Sequence, residues 1–278
     1  LQKRSPNHFV RRVHISPAEI LTHFSAKNPD FVGNQAFSPQ NGLNKMDLTP
    51  AWSKKILWRG LLSMSREQIY HSIILKKQPY READEIITLY TLELGKLRVL
   101  ARSLKAAKSK LQQSLQALFL VEVRTAGSRD FPQVIGAEVI QSFAGIRENL
   151  RAAKYAFYAC ELALKFSPDE QKNEPLYFLL RDFFNFLDGC GPDEVLMAPG
   201  LAKFKLDLLD AVGLAVPPAG LPSGEAKLLF GELSRSPFAN LAVLTLNSAS
   251  LSALQKYLSQ FILKELEREV KSESLMEI

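Results

Sequence analysis

The spacing of apolar residues changes character at Gly145, and that change dictates a chain built in two parts. Upstream, from Ile69 onward, apolar residues come in short runs, several alternating with polar ones, as in strands with unlike faces. Downstream they recur every three or four residues, the period of helices that bury one side. Strands first and helices afterwards predict an α+β chain.

Residues 69–77 read as a first strand, closed by a turn at Gln78-Pro79-Tyr80 because proline ends a central strand. Residues 84–91 make a second strand, with apolar Ile86, Ile87, Leu89 and Tyr90. Glu93-Leu94-Gly95-Lys96 is a hairpin signal, and a third strand over 97–103 alternates Leu97, Val99 and Ala101. A polar, basic connection over 104–114 precedes two further strand-like runs, 115–125 and 133–143. Five short strands with one long connection predict an OB-like β-barrel, with room for an extra helix between strands three and four.

Leu150, Ala153, Phe157, Cys160, Glu161 and Leu164 fall at helical spacing and predict a first helix, ended by Pro168. Pro175 opens a second, whose broad apolar face carries Leu176, Leu179, Leu180, Phe183, Phe184 and Leu187. A third, from Pro199 to Val212, turns Phe204, Leu208, Leu209 and Val212 inward. Further helices are predicted near 225–234, 237–245 and 250–270. The expected organisation is an OB-like barrel over 64–143 and an all-α helical domain over 144–278. Residues 1–63 are rich in Asn, Pro, Ser, Lys and Arg without a sustained period, which predicts disorder. Leu1 is not methionine and Met64 directly precedes the first strand pattern, so 1–63 is expected to be an unstructured extension or a mis-assigned start. The functional counterpart of that reading is a basic arm on nucleic acid.

The net charge of +6 is unevenly placed. Residues 1–63 hold nine basic and three acidic side chains, 64–137 twelve and seven, and 138–278 fourteen and nineteen. A basic front and an acidic back point to a nucleic-acid face on one part only. Two cysteines, Cys160 and Cys190, supply neither a disulfide framework nor a four-ligand zinc site, and such low usage fits a reducing cytoplasm. The longest charge-free run, between Arg235 and Lys256, contains Pro237, Asn240 and Asn247 and is a poor membrane span.

From Lys96 to Val121 there are six basic residues and no acidic one. Lys96, Arg98 and Arg102 alternate with Leu97, Val99 and Ala101, which predicts a cationic stripe outside an apolar core. Lys105, Lys108 and Lys110 continue it, and Lys76, Lys77 and Arg81 extend it from the first strand and its turn. These nine residues are the candidate DNA-binding set, since lysine and arginine neutralise phosphates and release counterions. Tyr80, in a turn beside Arg81, is the candidate base-stacking ring, whereas Tyr90 and Phe119 lie in apolar runs and are expected in the core. No phosphate loop, dinucleotide fingerprint or nucleophile elbow is present, so no catalytic residue is assigned. Glu82, Asp84 and Glu85 are the acidic cluster on which a metal-dependent nucleic-acid enzyme would rest, and an RNA-binding adaptor is a further alternative.

With those residues in view, the chain resembles the RecO family of bacterial DNA-repair mediators. The resemblance runs through Ile73-Ile-Leu-Lys, Tyr80-Arg-Glu-Ala-Asp-Glu-Ile-Ile-Thr-Leu-Tyr-Thr, Gly95-Lys-Leu, Val99-Leu-Ala-Arg, Lys108-Ser-Lys-Leu and Leu115-Gln-Ala-Leu-Phe. It continues through Cys160-Glu161-Leu162, Phe204-Lys-Leu-Asp-Leu-Leu-Asp-Ala-Val-Gly213 and Leu266-Glu-Arg-Glu-Val-Lys-Ser272. It implies an N-terminal OB-fold joined to a helical domain, binding of single- and double-stranded DNA, and annealing of complementary strands. It implies RecR and single-strand-binding protein as partners, RecA indirectly through loading on gapped DNA, and a cytoplasmic, nucleoid-associated location. No covalent chemistry, cofactor or membrane is implied. Two departures stand out. Ser103 occupies a position where glycine is usual after Ala-Arg, and residues 215–236 lack the cysteines of the zinc module that many members carry.

Overall fold

A computed structural model describes residues 67–105, 111–128, 131–191, 194–221, 223–244, 247–266 and 270–272. The expectations for 1–63, and for Lys108 and Lys110, lie outside the described residues. Alternation in the front half does produce strands: β1 (Gln68–Pro79), β2 (Glu85–Thr91), β3 (Gly95–Ala101), β4 (Leu120–Ala126) and β5 (Gln133–Gln141). They close into an OB-like barrel in the order β1-β2-β3-β5-β4. Neighbours are antiparallel except β3 and β5, which run parallel and meet where the Leu100 N–H donates to the Pro132 carbonyl at 2.9 Å. The short α1 (Leu111–Ser114) lies in the connection between β3 and β4, where an extra helix was expected. Tyr70, Ile74, Ile87, Leu89, Leu97, Val99, Val121 and Val123 fill the interior with Leu104, Leu115 and Phe119.

The outer wall is not all solvent-facing. The pairing of β1 with β2 slips between Ile74 and Lys76, leaving Leu75 as the extra residue of a bulge. Ile73, Leu75, Tyr90, Leu118 and Leu120 belong to the hydrophobic core of the helices rather than to the barrel interior. Barrel and helices therefore share a packed wall.

The helices are α2 (Ala144–Glu148), α3 (Leu150–Phe166), α4 (Glu174–Gly189), α5 (Met197–Ala211), α6 (Gly224–Arg235) and α7 (Ser248–Leu266). Their starts are chemically marked. The Asn149 side chain accepts from the Arg151 and Ala152 N–H groups, Asn173 from Leu176, and Ser223 from Ala226. Asn173 also donates to the Ala211 carbonyl at 2.8 Å, tying the start of α4 to the end of α5. Helix α5 is buried nearly all round, including Lys203 and Lys205. The Lys203 ammonium meets the Asp207 carboxylate at 2.8 Å and the Leu233 carbonyl at 3.2 Å, and Lys205 donates to Ser259 at 2.7 Å. Burial pushes the Asp207 carboxyl up, against the lowering effect of Lys203.

Three expectations need correction. The face of α3 is rotated: Leu150 is 74 % exposed and Phe157 48 %, while Ala152, Ala156, Ala159 and Ala163 are buried with Cys160 and Leu162. An alanine stripe lets helix and neighbours approach closely, and close packing outweighs burying a larger side chain at wider separation. The predicted helix over 237–245 is instead a 3-10 turn, Phe238–Val243. The third strand stops at Ala101, so Arg102 sits in the following turn. Cys160 behaves as a buried hydrophobe whose thiol is pushed up by burial, away from reactive thiolate.

Two segments quoted for the family resemblance meet in space. The Glu161 carboxylate accepts from the backbone of Lys271 (2.9 Å) and Ser272 (2.8 Å) and from the Ser272 hydroxyl, with Lys165 at 3.5 Å. Burial of Glu161 favours its neutral form, but these hydrogen bonds and Lys165 outweigh it and hold the carboxyl below its ordinary value of 4.5. A depressed folded-state value means the anchor is complete above the ordinary value and is lost as pH falls through the folded-state one. Amide exchange should therefore show Lys271 and Ser272 protected at neutral pH and released on acidification below that range, with Glu161→Ala releasing them at every pH.

Ser103 adopts a left-handed backbone (φ 51), which explains why glycine suits this position. The turn survives because the Ser103 N–H donates to the Asp84 carboxylate at 2.8 Å. Ser103→Gly keeps that bond and relieves about 1 kcal/mol of backbone strain. Thermal melting should rise by roughly 2–4 °C.

Candidate nucleic-acid interface

On a strand every second side chain faces outward, and the register aligns Lys76 of β1 with Thr88 of β2 and Arg98 of β3. Thr88 is buried in this row, with exposed Lys76 and Arg98 on either side. The next row out holds Gln78, Ile86 and Leu100. Beyond it the loop between β1 and β2 turns back on itself, its Tyr80 N–H donating to the Asp84 carbonyl at 3.1 Å.

That loop carries the candidate ring. Tyr80 is 47 % exposed, and the Arg81 guanidinium lies over it at 5.2 Å from the ring centre. Phe131, from the loop between β4 and β5, meets Tyr80 edge-on at 6.3 Å. The Leu100–Pro132 bond holds that second loop against β3. On the other side, the Lys105 N–H donates to the Ala83 carbonyl at 3.1 Å, so exposed Arg102 and Lys105 join Arg81 at the same end of the barrel. Two aromatic rings and these cations border the outer face of β2 and β3. That combination suits a chain whose flat rings stack and whose linkages are anionic.

Lys77 and Lys96 are placed differently. Lys77 lies opposite Ile87 of the barrel core and ion-pairs with Glu85 at 3.4 Å, both side chains largely covered. Lys96 donates to the Leu164 carbonyl at 3.1 Å and pairs with Asp169 at 3.1 Å. Arg98 also reaches Asp169, at 3.5 Å, but its side chain remains 63 % exposed. The expected stripe is thus divided: Lys96 underlies the loop between α3 and α4, Arg98 is open, and Arg102 lies past the strand. Of the acidic cluster, Asp84 fastens the Ser103 turn, Glu85 holds Lys77, and Glu82 is exposed. Among the described residues no group of three His, Cys, Asp or Glu side chains converges as a metal-ligand set.

Two participants are absent from the residue-level reading. Phe131 follows Arg129 and Asp130 as a lone aromatic in a loop, where no periodicity marks it. Asp169 lies about seventy residues from its cationic partners in sequence, beyond the reach of any spacing rule.

The chain matches known proteins over both halves of this assembly. Residues 64–143 match the family Recombination protein O N terminal, and residues 147–217 match Recombination protein O C terminal, together more than half of the chain. The DNA repair protein RecO of Dehalococcoides mccartyi strain CBDB1 is 37 % identical over 142 residues, 51 % of this chain and 54 % of that protein. The same-named protein of Listeria monocytogenes serotype 4b strain F2365 is 36 % identical over 142 residues, with the same coverage. That of Geobacter metallireducens is 32 % identical over 121 residues, 44 % of this chain and 50 % of the relative. The chain thus spans about half the length of the relatives it matches.

The two kinds of lysine should separate on mutation. Lys77→Ala leaves the Glu85 carboxylate, one oxygen of which is buried without a hydrogen bond, with no counter-charge. This should cost about 1–3 kcal/mol in denaturant titration. Lys76→Ala, on the open face, should stay within about 0.5 kcal/mol of the parent.

Proposed function

Because the chain belongs to the RecO family, we propose that it is a DNA-binding recombination mediator that acts in repair without covalent chemistry. The carrying observation is the Lys76–Thr88–Arg98 row, bordered by the Tyr80–Phe131 pair. Single-stranded DNA laid across β2 and β3 would set phosphates against Lys76 and Arg98 and bases against Tyr80 and Phe131. Arg81, Arg102 and Lys105 would follow the backbone around the end of the barrel, and Lys108 and Lys110 continue the same basic run in sequence.

Annealing follows from the same charges. Two strands repel through their phosphates, and each phosphate neutralised by protein releases condensed counterions and lowers that repulsion. Stacking on aromatic faces tolerates any base, so a strand can be held without being read. Duplex DNA would bind through its phosphates alone. The helical part offers the surface for RecR and single-strand-binding protein, through which RecA would be loaded on gapped DNA.

The test is an annealing assay on single-stranded DNA coated with its binding protein, with and without RecR. Annealing should proceed in the presence of EDTA, and divalent-metal-dependent strand cleavage would overturn the non-enzymatic reading. Changing Lys76 and Arg98 together to Glu should weaken binding by more than about ten-fold at 0.1 M salt and flatten the salt dependence. Tyr80→Ala and Phe131→Ala should each cost about 1–3 kcal/mol of affinity while leaving the salt slope unchanged. Equal affinity and slope in the charge-reversed protein would move the DNA site elsewhere.

A further inference from the structure

We propose that Lys96 and Arg98 form a phosphate-binding position that the Asp169 carboxylate fills from within the chain until a nucleic-acid phosphate replaces it. This rests on the reading of the barrel face as a DNA site.

Each oxygen of the Asp169 carboxylate faces its own cation. Oδ1 is 3.1 Å from the Lys96 ammonium and Oδ2 is 3.5 Å from the Arg98 guanidinium. Two anionic oxygens bridging a lysine and an arginine match the charge and spacing that the non-bridging oxygens of a phosphodiester would present. The position adjoins the open face, since Arg98 also belongs to the Lys76–Thr88–Arg98 row. A strand following that row meets Asp169 at the next outward residue of β3.

The anchoring of the loop separates its backbone from this carboxylate. The Glu170 N–H donates to the Lys96 carbonyl at 2.8 Å. Gly95, with φ +74, has no Cβ, and one built there would lie 2.0 Å from the Gln171 carbonyl oxygen, so the loop backbone rests directly on the hairpin. The Asp169 side chain is 52 % exposed, with water on its outer side. It can rotate away into solvent without unseating the loop. Lys96, by contrast, is 16 % exposed and fixed on the Leu164 carbonyl, so its charge stays in place when the carboxylate leaves. An exposed ion pair contributes little to stability, which makes the exchange inexpensive. Asp169 therefore sets the threshold for backbone capture: only a ligand that brings its own anionic oxygens gains by displacing it.

A plain clamp between barrel and helices makes the opposite prediction, so the two separate by experiment. The probe is fluorescein-labelled oligothymidylate, read by anisotropy at several salt concentrations. Asp169→Asn should bind about five-fold more tightly at 0.1 M salt, with a salt slope steeper by about 0.7, the signature of one more phosphate contact. Asp169→Glu, which keeps the carboxylate, should remain close to the parent in both. In the unaltered protein the carboxyl-carbon NMR resonance of Asp169 should move on saturation with the oligonucleotide, which tests displacement without a variant. Unchanged or weaker binding by Asp169→Asn, or a resonance unmoved at saturation, overturns the proposal. If the parent binds and Arg98→Glu abolishes that binding, the DNA face stands while the proposal fails. If the parent does not bind oligothymidylate, both fall.

Discussion

Everything else in this structure depends on the barrel burying part of its outside. Ile73, Leu75 and Tyr90 point away from the barrel interior and into the core of the helices. Each contributes roughly 1.5–3 kcal/mol by leaving water. The bulge at Leu75 makes this possible, because it places one additional apolar side chain on the outer wall without shifting the inward set beyond it. Once that wall is committed to protein, the Lys76–Thr88–Arg98 row and the two loops beyond it are left facing solvent. The ligand face follows from where the helices dock.

The same docking sorts the cations. Lys76, Lys77, Lys96 and Arg98 look alike in sequence, yet Lys77 closes the barrel over Glu85 and Lys96 is capped by the loop between α3 and α4. A lysine held by a carboxylate and largely covered serves the fold first, because releasing it would strand the partner charge. Arg98 is the hinge between the two groups, exposed enough to take a ligand and close enough to Asp169 to be restrained by it.

The back half repeats the logic with smaller residues. Alanines at 152, 156, 159 and 163 form the buried side of α3, and the larger Leu150 and Phe157 remain outside. A hydrophobicity rule ranks Leu and Phe as the inward choice and so rotates the helix. The contact surface instead selects side chains by how closely backbones must approach.

Much of the chain was legible without coordinates. The five strands, the hairpin at Gly95, the apolar face of α4 and the burial of Tyr90, Phe119 and Cys160 follow from period and turn chemistry, which are local properties. The exposure of Tyr80 was legible for the same reason, since a ring in a proline turn has no strand to bury it. Phe131 beside Tyr80, Asp169 on Lys96 and Arg98, and Glu161 under Ser272 were not. Each joins residues from separate segments, and sequence spacing carries no information about which surfaces meet. The sequence by itself determined which residues are strand, helix and cation. Only the tertiary structure decided which cations remain open, because that depends on which charges and which apolar walls the folded chain brings against them.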